Sequence, residues 1–133
     1  MIMNSDRETK KVVRGYLGCI TLFFILIVLG FLTFRPIINP KEEDCTRIVG
    51  TLIGYKYSKH LDIHIKISEN DNMYYLNRID EPENIFSALD TLIGKKIVLY
   101  PVNHWSLLNP RRKTNHVARV TDEDENMIIY TEY

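Results

Sequence analysis

The sequence is poor in cysteine, in excess basic charge and in the short motifs of enzyme active sites. Its two cysteines, Cys19 and Cys45, are too few for the disulfide framework that stabilises many small secreted domains. The 17 lysines and arginines are matched by 17 aspartates and glutamates. Residues 45–133 carry 11 basic and 12 acidic side chains, so this part of the chain lacks the positive excess needed to bind a phosphate backbone. We expect no nucleic-acid partner.

Catalytic signatures are also missing. No serine lies in a G-x-S-x-G turn, neither cysteine has the local setting of a nucleophile, and no glycine-rich loop could hold a phosphate. Paired carboxylates occur only in turn-like runs such as Asp122–Glu125. There are no internal repeats and no N-x-S/T sequons, so nothing supports a glycosylated extracellular protein. The sequence therefore predicts a protein that is not an enzyme and holds no cofactor.

One stretch lacks charge altogether. Gly15–Phe34 has 20 residues, of which 13 are Leu, Ile, Val or Phe, with Phe24 and Leu29 inside it. A helix of this length rises by roughly 30 Å, the thickness of the hydrocarbon core of a bilayer. The stretch predicts one transmembrane helix, with the lipid bilayer as its partner.

A cleaved secretory signal is the main alternative to a permanent anchor. Such signals have an apolar region of roughly 7–15 residues followed by small residues at the cleavage site. This apolar stretch is longer and runs into Phe34-Arg35-Pro36. Cys19 does not indicate a lipoprotein, because the apolar residues follow the cysteine instead of preceding it. We expect the anchor to remain uncleaved.

Flanking charge predicts the orientation, because lysine and arginine favour the cytoplasmic side. The amino-terminal flank has four such residues and the carboxyl-terminal flank has three: Arg7, Lys10, Lys11 and Arg14 against Arg35, Lys41 and Arg47. The bias favours a single-pass protein of the cell membrane, with a cytoplasmic N-terminus and an extracytoplasmic C-terminal domain.

The chain divides by composition into four segments: a polar N-terminal segment (1–14) expected to fray, the helix (15–34), a linker (35–44) and a small soluble domain (45–133). Two prolines and a charged run make the linker extended. Ten residues reach at most about 35 Å, so we expect the domain to work close to the membrane surface.

The soluble domain reads as mainly β. Strands are predicted at Thr46–Tyr57, Asp62–Ser68, Met73–Ile79, Lys96–Pro101, Asn115–Thr121 and Met127–Glu132. One helix is predicted between the third and fourth strands, with its N-cap at Asp80 or Glu81, Pro82 in its first turn and Gly94 at its end. Its apolar residues recur at helical spacing: Ile85, Phe86, Leu89, Leu92 and Ile93.

The order β-β-β-α-β-β-β, with glycines bending the first strand, resembles the oligonucleotide/oligosaccharide-binding (OB) barrel. That resemblance covers residues 46–133, concerns the order of elements only, and implies a barrel closed at its base by the helix. The expected fold class is α+β, mainly β: one transmembrane helix followed by a small OB-like barrel. A small barrel of another topology and an open α+β sheet are the alternatives.

The segment between the fourth and fifth predicted strands, Val102–Thr114, is the best candidate for binding. It combines the only tryptophan with leucines and a basic run: Trp105, Leu107, Arg111, Arg112 and Lys113. Tryptophan and arginine dominate the energy of many interfaces. Three interpretations stay open: Trp105 covers one end of the barrel, the loop binds a protein partner, or it docks on anionic lipid headgroups.

Two smaller features each have one structural and one functional interpretation. On an extended strand His60, Asp62 and His64 could share one face as zinc ligands, but His60 lies in the predicted turn before the strand, and the alternation with Ile63 and Ile65 favours a solvated face. Cys45 is either a small apolar residue at the start of a strand or one half of a disulfide between two copies.

Together these features predict a single-pass membrane protein whose barrel is a non-catalytic interaction or scaffolding module at the membrane surface. The alternative from another functional class is a membrane-tethered sensor domain that binds a ligand or a metal.

Overall fold

The computed structural model describes residues 5–34 and 39–133 and has a mixed α+β fold, with an apolar N-terminal helix and a closed five-stranded β-barrel. The chain divides into two compact units, one of Met1–Pro36 with Ser106–Leu108, the other of Ile37–Trp105 with Asn109–Tyr133. Residues 1–4 of the predicted N-terminal segment and 35–38 of the predicted linker lie outside the described residues.

The helix of the first unit, α1, spans Ser5–Thr33 and is followed by a bend at Phe34. It begins ten residues before the predicted span, so the polar residues 5–14, expected to fray, are helical as well. Its part Thr9–Thr33 is long and apolar enough to cross a membrane, a criterion that a signal sequence near an N-terminus also meets. Every side chain from Phe24 to Leu29 is at least 42% exposed.

The second unit has six strands, a helix and a short 3-10 turn at Glu42–Asp44. The strands are β1 (Ile48–Tyr57), β2 (Ile63–Ile67), β3 (Met73–Leu76), β4 (Lys96–Pro101), β5 (Thr114–Asp122) and β6 (Ile128–Thr131), and α2 (Glu83–Leu92) lies between β3 and β4. Every predicted strand is present, with ends that differ by up to three residues.

Closure of the barrel depends on β1, which pairs with two different strands. Its first half, Ile48–Thr51, is antiparallel to β4, and its second half, Leu52–Tyr57, is antiparallel to β2. The pairing shifts register between Leu52 and Gly54, as a β-bulge does. The ring continues from β2 to β3, from β3 to β5 in parallel, and from β5 back to β4. β6 extends the sheet beyond the ring by pairing with β5.

The barrel interior is filled by alternate residues of its strands. Ile63, Ile65 and Ile67 of β2 are all essentially inaccessible to solvent, because every second side chain of a strand points to the same face. The helix α2 adds three buried residues to the same core: Ile85, Leu89 and Leu92.

Two predictions about α2 are wrong at its ends. Ile93, expected in the core, is 50% exposed, because the helix ends at Leu92 and the backbone of Ile93 is no longer helical, with ψ of 128°. The N-cap is Pro82, and no side-chain hydrogen bond caps the helix, so neither Asp80 nor Glu81 fills that role. Gly94 does have the left-handed conformation predicted for it, with φ of 79°.

A side chain at Gly50 of β1 would clash with two neighbouring side chains. A Cβ atom there would lie 2.5 Å from Ile67 Cδ1 and 2.6 Å from Glu69 Oε2. Ile67 is fully buried, and the Glu69 carboxylate accepts hydrogen bonds from the Thr51 N–H and hydroxyl at 2.7 and 3.0 Å, so neither neighbour can move away freely.

We predict that Gly50→Ala destabilises the barrel by about 1–3 kcal/mol, the usual cost of adding a methyl group to a packed site. Urea denaturation of the full-length protein in a mild detergent, followed by tyrosine near-UV circular dichroism, measures the change. Gly54→Ala is the matched control: a Cβ there meets nothing within 4 Å, so its effect should stay within about 0.5 kcal/mol. Equal stability of the two variants would contradict the packing argument.

Candidate functional site

The loop between β4 and β5, residues 102–113, is held in place by Asn109. The side-chain oxygen of Asn109 accepts the N–H of Lys113 at 2.9 Å, and its side-chain amide donates to the carbonyl of Thr114. At the other side of the loop, the guanidinium of Arg112 donates to the side chain of Asn103. The basic run therefore lies on a hydrogen-bonded scaffold.

The predicted contact residues of this loop are accessible. Trp105 is 48% exposed and does not belong to the hydrophobic core of the barrel. Arg111, Arg112 and Lys113 are exposed, and in the described part of the chain none of the three makes an ion pair. We call Trp105, Arg111, Arg112 and Lys113 the basic surface. Leu107, which belongs to the other unit, is exposed too.

Of the three candidate metal ligands, only His64 lies in β2. His60 is exposed in the turn before the strand, and the Asp62 carboxylate accepts the backbone N–H of Arg78 at 3.1 Å. His64 points out of the barrel beside Tyr75, with ring centres 6.3 Å apart. Within residues 5–34 and 39–133, no group of three or more His, Cys, Asp or Glu side chains could hold a metal ion.

Cys45 is half-buried beside the barrel, where it forms an isolated bridge with Val102. Its thiol lies 3.4 Å from the carbonyl oxygen of Lys41. Burial, together with the nearby negative charge of Asp44, raises the pKa of this thiol, so it is protonated at neutral pH. The disulfide between two copies stays a prediction.

A buried polar cluster that the sequence did not indicate joins β5 to the end of β6. His116 Nε2 and Glu132 Oε1 are 2.8 Å apart, and the Tyr130 hydroxyl donates to the same carboxylate oxygen at 2.8 Å. His116 is only 8% exposed, and the ring of Tyr75 stacks on it at 5.5 Å between centres. The sequence predicts the two strands that carry these residues, Asn115–Thr121 and Met127–Glu132, but no motif links the three side chains.

The electrostatics of this cluster favour an ionised Glu132. Burial alone would raise the pKa of its carboxyl group, but hydrogen bonds with His116 and Tyr130 outweigh burial and lower that pKa. Burial and the Glu132 carboxylate raise the pKa of the Tyr130 hydroxyl far above its ordinary value. The cluster is thus a neutral tyrosine and a carboxylate that tie the last strand to the barrel.

The second feature that the sequence did not indicate is a groove on the outer face of β1, β2 and β3. It encloses a cavity of about 610 Å³. Ile53 and Met73, 52% and 49% exposed, line it together with Gly54 and the two lysines Lys56 and Lys66. Neither lysine makes an ion pair among the described residues. A single sequence could not reveal this groove, because its lining comes from three different strands.

Comparisons with protein-family models, with curated proteins and with solved structures found no match to this chain.

Stability should depend on pH through Glu132. Because folding lowers the pKa of this carboxyl group, its contribution is present above the ordinary value of 4.5 and is lost as the pH falls through the lower folded value. Glu132→Gln should therefore cost about 1–3 kcal/mol at pH 7, and less at pH 3. Urea denaturation of the full-length protein at pH 3 to 7 measures both differences.

Glu123→Gln is the control for this prediction, because Glu123 forms only a half-exposed ion pair with Lys96. Its effect at pH 7 should be below about 1 kcal/mol. A Glu132→Gln penalty that does not shrink between pH 7 and pH 3 would contradict the proposed role of the ionised carboxylate.

Proposed function

We propose that this protein is a single-pass membrane protein whose barrel is a non-catalytic interaction or scaffolding module at the membrane surface. The observation that carries the proposal is the helix Thr9–Thr33, which is as long as a membrane span and exposes its apolar side chains along its whole length. Apolar surface of this extent is unfavourable in water, and a bilayer would cover it.

The anchor is uncleaved in this proposal. The apolar region exceeds the roughly 15 residues usual for a signal peptide, and no run of small residues follows it. The flanking charges favour a cytoplasmic N-terminus and an extracytoplasmic barrel in the cell membrane.

An OB-like assignment of the barrel is part of the proposal. Its support is the ring order β1-β2-β3-β5-β4, the parallel pairing of β3 with β5, and a helix between β3 and β4 that adds to the core. OB barrels are five-stranded, bind partners on an outer face and through long loops, and need no catalytic residues to do so.

The basic surface is the proposed contact site. Arg111 and Lys113 carry free positive charge beside a half-exposed tryptophan, an arrangement that suits an acidic patch on a protein partner. Anionic headgroups are the competing occupant, because a tethered domain could also bring these residues to the lipid surface. The groove on β1–β3 favours a second candidate function, a membrane-tethered domain that binds a small ligand.

We predict that the full-length protein sediments with membranes, resists extraction by salt and alkali, and is released by detergent with an intact mass. A mass showing that the chain begins near residue 36, or recovery in the water-soluble fraction without detergent, would overturn the anchor.

We further predict that a photocrosslinking amino acid placed at Pro110, which is exposed next to Arg111, captures one protein in intact membranes. Arg111→Gln with Lys113→Gln should reduce the yield by fivefold or more, and it leaves the Arg112–Asn103 hydrogen bond intact. The matched control, Lys59→Gln with Lys95→Gln, removes the same charge from exposed lysines elsewhere on the barrel.

Mass spectrometry of the adducts separates the two occupants. If adducts form with phospholipid and none form with protein, the basic surface binds lipid headgroups and not a protein partner. If the two double variants give equal yields of crosslinked protein adduct, the basic surface is not the contact site.

A further inference from the structure

The groove on β1–β3 owes its shape to the bulge in β1. Ile53 lies at the register shift and turns its side chain outward, although it is apolar. Gly54 is paired with Lys66 on the neighbouring strand, and nothing lies within 4 Å of the place where its Cβ would be. Because Gly54 has no side chain, the base of the groove is open at this position. Met73 of β3 adds a second apolar side chain to the lining, beside Ile53.

Positive charge is concentrated at this groove. Lys66 lies opposite Gly54 and Lys56 lies opposite His64, so both lysines project from the outer face on which the groove opens. The only acidic residue that lines it is Asp71. Since residues 45–133 have a net charge of −1, a groove with one carboxylate and two lysines that form no ion pair with any described residue differs from the rest of the surface.

An apolar floor beside unpaired cations suits a ligand with matching parts. The volume of about 610 Å³ is within the range of roughly 300–1,000 Å³ typical of small-molecule sites. A hydrocarbon chain would cover Ile53 and Met73, removing exposed apolar surface from water, and an anionic head would lie between the two lysines.

We propose that this groove binds a small amphiphilic carboxylate, a carboxyl group carried on a hydrocarbon chain of medium length. The proposal supplies the ligand class for the second candidate function. It depends on neither the basic surface nor the orientation of the anchor.

The test uses the full-length protein in zwitterionic nanodiscs, labelled on its methionine methyl groups. The chain has four methionines, so the spectrum has few signals, and Met73→Leu assigns the one in the groove. Octanoate, with its free concentration fixed by dialysis, should shift the Met73 signal saturably. Met127, exposed outside the groove, should not move and so reports non-specific binding. Octylammonium should bind at least tenfold more weakly than octanoate.

Two variants locate the site. Lys56→Gln with Lys66→Gln should raise the dissociation constant of octanoate by roughly tenfold, the effect of losing two exposed charge pairs. Lys59→Gln with Lys95→Gln should leave it unchanged. Gly54→Val should abolish the saturable shift by filling the floor, and its thermal unfolding in the nanodisc should match that of the native protein.

The results that would contradict the groove differ from the results that would contradict the membrane span. Failure of the protein to enter nanodiscs would count against the membrane span, and the same titration would then be run in buffer. An unmoved Met73 signal, or equal affinity for octanoate and octylammonium, would overturn the carboxylate site whatever the fate of the anchor.

Discussion

The barrel depends on one strand that serves two partners. β1 pairs with β4 through Ile48–Thr51 and with β2 through Leu52–Tyr57, and the bulge between Leu52 and Gly54 lets it turn from one to the other. Closure pairs backbone groups that an open sheet would leave at its edges. The same bulge exposes Ile53 and leaves the base of the groove open at Gly54. The bulge that allows the barrel to close therefore also shapes the groove on its outer face.

Local pattern accounts for the features that were predictable from sequence. The alternating isoleucines of β2, the apolar run of β4 and the helical spacing from Ile85 to Leu92 each depend on near neighbours in the chain, and the elements they predict are present. The prediction for the C-terminal end of α2 was wrong because Ile93 continues the helical spacing of apolar residues, although the helix ends at Leu92. Periodicity places elements well and their last residues poorly.

The remaining features arise from contacts between distant residues. β3 meets β5 in parallel about 40 positions later, and His116 meets Glu132 only because β5 and β6 pair. Neither the groove nor this cluster has a motif, since each is assembled from single residues of several strands. The loop with Trp105 was identifiable because its residues are consecutive. Candidate sites made of one segment can be found in a sequence, whereas sites made by the fold cannot.

The position of charges that form no ion pair says more about what this barrel could bind than its net charge does. Seven of its 12 acidic side chains already have hydrogen-bond or ion-pair partners: Asp62, Glu69, Asp90, Asp122, Glu123, Glu125 and Glu132. Lys56, Lys66, Arg111 and Lys113 make no ion pair in residues 39–133, so positive charge is available at these positions although residues 45–133 have a total of −1. These cations form two small groups, one on β1–β2 and one after β4. Groups of this size match a single carboxylate or an acidic patch better than the long row of phosphates in a nucleic acid.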